Sequence, residues 1–211
     1  VLIFLKTLNI YGCFVYNEKI FWRNAMETIL SSKEIKTICK ELADKLYDKF
    51  KSSKTIPVFI CVLKGANPFF IDLTRAYKGP LIYDYMQLSS YSGTSTTGVI
   101  HLSKDLTENI KGKDVVIVED VVDTGLTLSY VKEYIKIKYM PKSITVVCLI
   151  DKKALRRVEF EPDYSGFVIR ENKFLMGYGL DYKEIGRNFD FVFVPDKKTV
   201  EKWEEMLKNN K

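Results

Sequence analysis

"DVVIVEDVVDTGLTL", residues 114–128, puts four consecutive β-branched apolar residues (Val115–Val118) ahead of three carboxylates, Glu119, Asp120 and Asp123. A Thr/Gly turn follows, and after it a helical pattern. A short unbroken apolar run bounded in this way predicts a strand buried on both faces, as in a parallel sheet. The turn DTGLT (123–127) can cradle a phosphate through backbone N–H groups at a helix N-terminus, with the hydroxyls of Thr124 and Thr127 assisting. Gly125 permits the tight turn and a close approach of ligand. There is no G-x-x-x-x-G-K-[ST] pattern and no lysine in the turn, so it is not a Walker loop. Taken alone it fits an ordinary capped helix start equally well. Capping, however, uses one carboxylate or hydroxyl, and here Glu119 and Asp120 precede the turn as well. Carboxylates accept hydrogen bonds from neutral hydroxyls and bind hard cations such as Mg²⁺. Amides beside acids therefore suit a sugar phosphate: phosphate on the turn, vicinal hydroxyls and metal on Glu119 and Asp120, and Asp123 facing the reactive carbon.

The rest of the chain repeats the strand–turn–helix rhythm. Ser31 and Glu34 make an S-x-x-E capping box, and Ile35, Ile38, Leu42, Leu46 and Phe50 recur at helical spacing behind them. "TIPVFICVL" (55–63), "LIYDYMQL" (81–88), "DVVIV" (114–118) and "ITVVCLI" (144–150) are the expected strands, with helices after "KGANP" and after the acidic turn, the latter ended by Pro141. Together they predict an α/β fold, a mostly parallel central sheet flanked by helices. Residues 164–195 break the rhythm and are expected to form a small C-terminal antiparallel hood. "SSYSGTSTTG" (89–98) is long, small and polar, which suits a functional lid. Ligands of open α/β sheets bind beyond the carboxyl ends of the strands. "LKGAN", "EDVVDTGLT" and "DKKALRR" lie at three such ends and should converge on one cleft.

Composition narrows the class. The chain has 211 residues, 46% hydrophobic and 28% charged, enough for one good core. A net charge of +6 without a long basic run suits anionic small molecules at least as well as nucleic acid. The four cysteines show neither metal nor redox spacing. Cys61 and Cys148, inside apolar runs, are expected to be buried thiols of a reduced, cytoplasmic protein. Residues 1–25 open with an apolar run of five residues before Lys6, too short to span a membrane. We expect them to be an appendage to a single domain over 26–211.

The acidic stretch closely resembles the phosphoribosyl-pyrophosphate motif of phosphoribosyltransferases. With "VLKGANPFFIDL", "LSSYSGTSTTG", "LIDKKALRR" and "FLMGYGLDYKEIGRN", the chain from about 27 to 195 resembles the hypoxanthine-guanine phosphoribosyltransferases of bacterial type, which have the type I phosphoribosyltransferase fold. The resemblance implies Mg²⁺-dependent purine salvage in the cytoplasm by a homodimer or homotetramer, with phosphoribosyl pyrophosphate and a purine base as substrates. It further implies roles, position by position. The 5′-phosphate would sit on Asp123, Thr124, Gly125, Leu126 and Thr127, and the ribose with its metal on Glu119 and Asp120. Asp123 would be the general base taking the purine N7 proton. Lys64, Gly65 and Arg187 would hold pyrophosphate. Lys152 would reach the 6-oxo group, with Lys153 leaving a one-residue ambiguity, and "LRR" beyond it is expected to be a solvated face. Phe174 would stack on the purine, Leu175 would read its edge through the main chain, and Asp181 would bind a second metal near the 2-position. Ser90 and Tyr91 would belong to the lid, while His101 matches no catalytic role.

Departures from the usual family pattern are Gly186 before the arginine, Arg170 where proline is common, and Pro68 early in its helix. Two rivals stay open: a regulator of the same fold that binds RNA or DNA, and a xanthine-preferring transferase. A regulator could dispense with the base-binding set, and here Lys152, Phe174, Asp181 and Arg187 all stand in register.

Overall fold

The capping box forms as spaced. In the computed structural model, which describes residues 26–90 and 100–209, the Ser31 hydroxyl accepts from the Glu34 N–H and the Glu34 carboxylate accepts from the Ser31 N–H. Such a cap is worth about 1 kcal/mol and starts helix α1, Ser32–Phe50. Its buried face is Ile35, Cys39, Leu42, Ala43, Leu46 and Phe50. The chain continues through β2 (Val58–Leu63), α2 (Asn67–Ala76), β3 (Ile82–Ser90), β4 (Ile100–Lys104), β5 (Asp114–Val122), α3 (Leu126–Tyr139), β6 (Ser143–Lys152) and β7 (Tyr164–Ile169). Pro68 sits in the first turn of α2, where its missing N–H costs nothing.

These strands form one six-stranded sheet in the order β4-β3-β2-β5-β6-β7. Every neighbouring pair is parallel except β3–β4. The unbroken apolar runs are explained by burial on both faces. In β2, Phe59 and Cys61 face the core shared with α1 and α2, while Val58, Ile60 and Val62 face α3 with its Leu128, Val131 and Ile135. Each such side chain contributes roughly 1.5–3 kcal/mol on burial. Cys61 and Cys148 are free, buried thiols, as their apolar settings imply.

Three boundaries differ from the sequence expectation. Strand β5 does not end at Val118 but runs on to Val122, pairing Val121 with Ile150 and Val122 with Asp151. Glu119 and Asp120 are therefore strand residues, held rigidly by a ladder on the β6 side, and only Asp123–Gly125 form the turn. Strand β7, placed by its mixed composition in the accessory, instead extends the main sheet as a parallel edge beside β6. The hood is antiparallel as expected, but one of its two strands comes from the other end of the domain: β1 (Glu27–Leu30) pairs with β8 (Val192–Val194). A C-terminal helix α4 (Lys197–Asn209) supplies Trp203, which joins Met26, Met176, Phe191 and Phe193 in a separate hood core. Among the described residues no helix is long and apolar enough to cross a membrane. Residues 1–25, Tyr91 and most of the expected lid lie outside the described residues; Ser90 is the last residue of β3.

Candidate active site

The carboxyl ends of β2, β5 and β6 are adjacent in the sheet, so the segments that follow them meet. After β5 the chain turns at Gly125, whose φ of 82° is left-handed, and helix α3 begins at Leu126. No side chain caps that helix start. Its first-turn N–H groups beyond Leu126 have no partner within the helix and can address an anion. Thr124 Oγ1 accepts weakly from the Leu126 N–H at 3.4 Å, and the Thr124 carbonyl accepts from the Arg157 N–H at 3.0 Å. The turn is thereby tied to the segment after β6.

Of the two lysines there, Lys152 is 7% exposed and enters the cleft, with Nζ 3.1 Å from Asp123 Oδ1. Lys153, 45% exposed at its side chain, pairs with Glu161 at 2.9 Å and lies 3.9 Å from Asp151. The expectation of a solvated "LRR" face is wrong for Arg156. Its side chain is 13% exposed and pairs with Asp151, itself 1% exposed at the end of β6. A Cβ on Gly125 would stand 3.1 Å from Arg156 Nη1, so this guanidinium supports the turn from behind.

Glu119, buried, and Asp120, partly buried, form a couple in which the Asp120 N–H donates to Glu119 Oε1 at 3.1 Å. Burial pushes the Glu119 carboxyl well above the usual range, and the neighbouring Asp120 adds to the effect. Asp120 is also raised by burial, offset in part by its hydrogen bonds with Glu119 and Val121 and by the charge of Arg187. Two carboxylates so placed resist full ionisation unless cations or hydroxyl donors arrive. Among the described residues no three acids, histidines or cysteines gather into a metal cage. The couple fits the way Mg²⁺ is commonly held, by one or two carboxylates plus the phosphates of a substrate.

Gly65, in the loop after the cis Leu63–Lys64 peptide, lies against this couple: a Cβ there would fall 1.8 Å from Asp120 Oδ2. Gly179 of the hood lies against Gly65 in turn, since a Cβ on Gly179 would fall 1.9 Å from the Gly65 carbonyl oxygen. Acid couple, the loop after β2 and the hood are thus stacked with no room for a methyl group. Gly179→Ala meets backbone at that point and also a φ of +98°. It should cost about 2–5 kcal/mol of stability in urea unfolding; a loss under 0.5 kcal/mol would refute this packing.

The hood completes the cleft. Arg187 Nη1 donates to the Gly179 carbonyl at 2.8 Å, and its Nη2 lies 2.8 Å from Asp181 Oδ1 and 3.3 Å from Glu184 Oε2. Glu184 also takes Lys64 Nζ at 3.0 Å, and this bond holds its carboxyl below the usual range. Phe174 is 52% exposed, its ring perpendicular to that of Tyr182 with centroids 6.0 Å apart. Leu175 is buried, and Met176 beside it exchanges two 2.9 Å backbone hydrogen bonds with Phe193. Gly186 has a φ of +95°, and a Cβ there would fall 2.5 Å from Met176 Cε.

Residues 25–183 match the phosphoribosyl transferase domain. The hypoxanthine-guanine phosphoribosyltransferase of Aquifex aeolicus is 39% identical over 170 residues, covering 80% of this chain and 94% of that protein. The chain belongs to this family. It also matches the bifunctional TilS/HprT protein of Listeria monocytogenes at 40% identity over 167 residues, 79% of this chain, but spans only 25% of that longer protein. A crystal structure of hypoxanthine phosphoribosyltransferase from Staphylococcus aureus superposes with a TM-score of 0.77 at 35% identity, covering 83% of this chain and 95% of that one.

Three groups of the sequence-selected residues come together. Asp123, Thr124, Gly125, Leu126, Thr127 and Lys152 share the β5–β6 end; Glu119, Asp120 and Gly65 stack beside them; Arg187 and Asp181 reach in from the hood. Asp181 is held by Arg187 and by the Glu184 N–H at 2.8 Å, apart from any shared cage with Glu119 and Asp120. Sequence reasoning passed over Asp151, Arg156 and Glu184. An acid closing the apolar run "TVVCLI" was a usable signal for the first, because a buried carboxylate requires a partner. Glu184 offered none.

Proposed function

We propose that the chain transfers the phosphoribosyl group of phosphoribosyl pyrophosphate to hypoxanthine or guanine. The carrying observation is the Lys152–Asp123 couple, 3.1 Å apart beside the anion-accepting turn. A 6-oxopurine presents an acceptor at O6 next to N7, whereas adenine presents a donor at its 6-amino group. An ammonium beside a carboxylate complements O6 and a protonated N7 together, and opposes adenine.

In the reaction N9 bonds to C1′, the bond from C1′ to pyrophosphate breaks, and the N7 proton passes to Asp123. Glu119 and Asp120 hold the ribose hydroxyls, and their negative charge supports the cation-like sugar. Mg²⁺ would be held by this couple, and a second metal by Asp181, supplying positive charge to neutralise the pyrophosphate. First-turn amides with Thr124 and Thr127 bind the 5′-phosphate. Lys64, the Gly65 amide and Arg187 take the pyrophosphate, the latter through its fork of donors. Phe174, 52% exposed, offers ring surface for stacking on the base, and Leu175 contributes main-chain groups.

The test is turnover with phosphoribosyl pyrophosphate, Mg²⁺ and each of hypoxanthine, guanine, xanthine, adenine and uracil. Monophosphate should form from hypoxanthine and guanine, with adenine and uracil at background. Absence of product from every purine defeats the reading.

A further inference from the structure

Glu184 joins the two side-chain cations that the proposed function gives to pyrophosphate. Its Oε2 stands 3.0 Å from Lys64 Nζ and 3.3 Å from Arg187 Nη2, so one carboxylate oxygen spans the loop after β2 and the hood. The two loops are 120 positions apart in sequence, and no local pairing rule brings them together.

The turn that presents Glu184 is built for the purpose. Lys183 and Glu184 both adopt left-handed backbone, with φ of 51° and 73°, although neither is glycine. Such conformations are held only where the surroundings determine them. Here Tyr182 and Ile185 exchange backbone hydrogen bonds at 2.9 and 3.1 Å across the turn, the Glu184 N–H donates to Asp181 Oδ2, and Lys183 Nζ is anchored on Glu204 at 2.6 Å. Asp181 in turn grips Arg187 at 2.8 Å. The side chain of Glu184 is the one acid of this turn aimed at both cations together.

We propose that Glu184 is an internal surrogate for pyrophosphate. Its carboxylate keeps Lys64 and Arg187 in register until the pyrophosphoryl group of the substrate displaces it, and it competes for the same cations when product leaves. This rests on the assignment of Lys64 and Arg187 to pyrophosphate. Ligands that carry a pyrophosphoryl group must break two ion pairs and approach a like charge, whereas a nucleoside monophosphate, bound at the turn after β5, need do neither.

The experiment is titration of the full chain with inorganic pyrophosphate, phosphoribosyl pyrophosphate and the monophosphate product, comparing wild type, Glu184→Gln and Lys64→Gln. Glutamine preserves shape and removes only charge. Glu184→Gln should tighten pyrophosphate and phosphoribosyl pyrophosphate about 3–10-fold, the scale of one or two exposed ion pairs. The same variant should leave monophosphate affinity within about twofold of wild type, a split that a merely structural role would not produce. Lys64→Gln should weaken pyrophosphate. If Lys64→Gln weakens it while Glu184→Gln leaves it unchanged or weaker, the surrogate is rejected and the pyrophosphate assignment stands. If neither variant alters pyrophosphate binding, the assignment falls, and the surrogate with it.

Discussion

Asp123→Asn should lower kcat for nucleotide formation about 10²–10⁴-fold while the monophosphate still binds. Asparagine keeps the shape of the side chain, and its amide oxygen can still accept from Lys152 Nζ, now 3.1 Å from Asp123 Oδ1. It cannot take the purine N7 proton, and it removes one negative charge from beside the developing sugar cation. Protein stability should change by less than about 1 kcal/mol, because the Lys152 contact keeps an acceptor and the other structural role open to an acid here is helix capping. The structure removes that role: the helix is capped by Gly125, and no side chain caps it. Turnover by stopped assay and monophosphate affinity by calorimetry separate the two effects. Wild-type kcat in this variant rejects Asp123 as the base.

The sheet was legible because its strands are buried on both faces, so apolar runs such as "VFICVL" mark themselves. Capping chemistry did the same for α1, where Ser31 and Glu34 satisfy each other locally. Strand ends were not legible. Hydrophobicity stops at Val118, yet the ladder continues to Val122 because β6 offers partners as far as Asp151, and pairing does not depend on side-chain polarity. Strand β7, "YSGFVI", sits at a sheet edge and is half-exposed, so its pattern resembles that of the hood. The hood's own strand β1 was beyond reach for another reason: its partner β8 lies at the opposite end of the domain.

The site shows the same division. Residues local to a strand end, Glu119 through Thr127, were singled out by spacing and Lys152 by resemblance, and the structure sets Lys152 against Asp123. Arg156 was assigned to a solvated face because a run of basic residues after a strand usually is one; the buried Asp151 beneath it overrides that expectation. Glu184 depends on a turn with two left-handed non-glycine residues and on a lysine far along the chain, and neither has a sequence signature.

Lys152→Met should reduce kcat/KM for hypoxanthine and guanine about 10²–10³-fold, the scale of losing one preorganised charged donor. Methionine is flexible and apolar, so it can occupy this buried position without a void. Asp123, about half exposed at its side chain, stays hydrated without its partner, and the fold should survive. The decisive quantity is the ratio between 6-oxo and 6-amino purines. Lys152 favours O6 and repels the adenine amino group, so removing it should shrink the preference for hypoxanthine over adenine by a similar factor, through loss on the oxo side. Lys153→Met is the matched control. That lysine pairs with Glu161 outside the cleft, and its loss should leave kcat/KM within about twofold of wild type, as expected of an exposed ion pair. If Lys153→Met abolishes the oxo preference and Lys152→Met does not, the register is off by one residue. The carboxylate–ammonium couple that carries the functional reading would then be a structural ion pair.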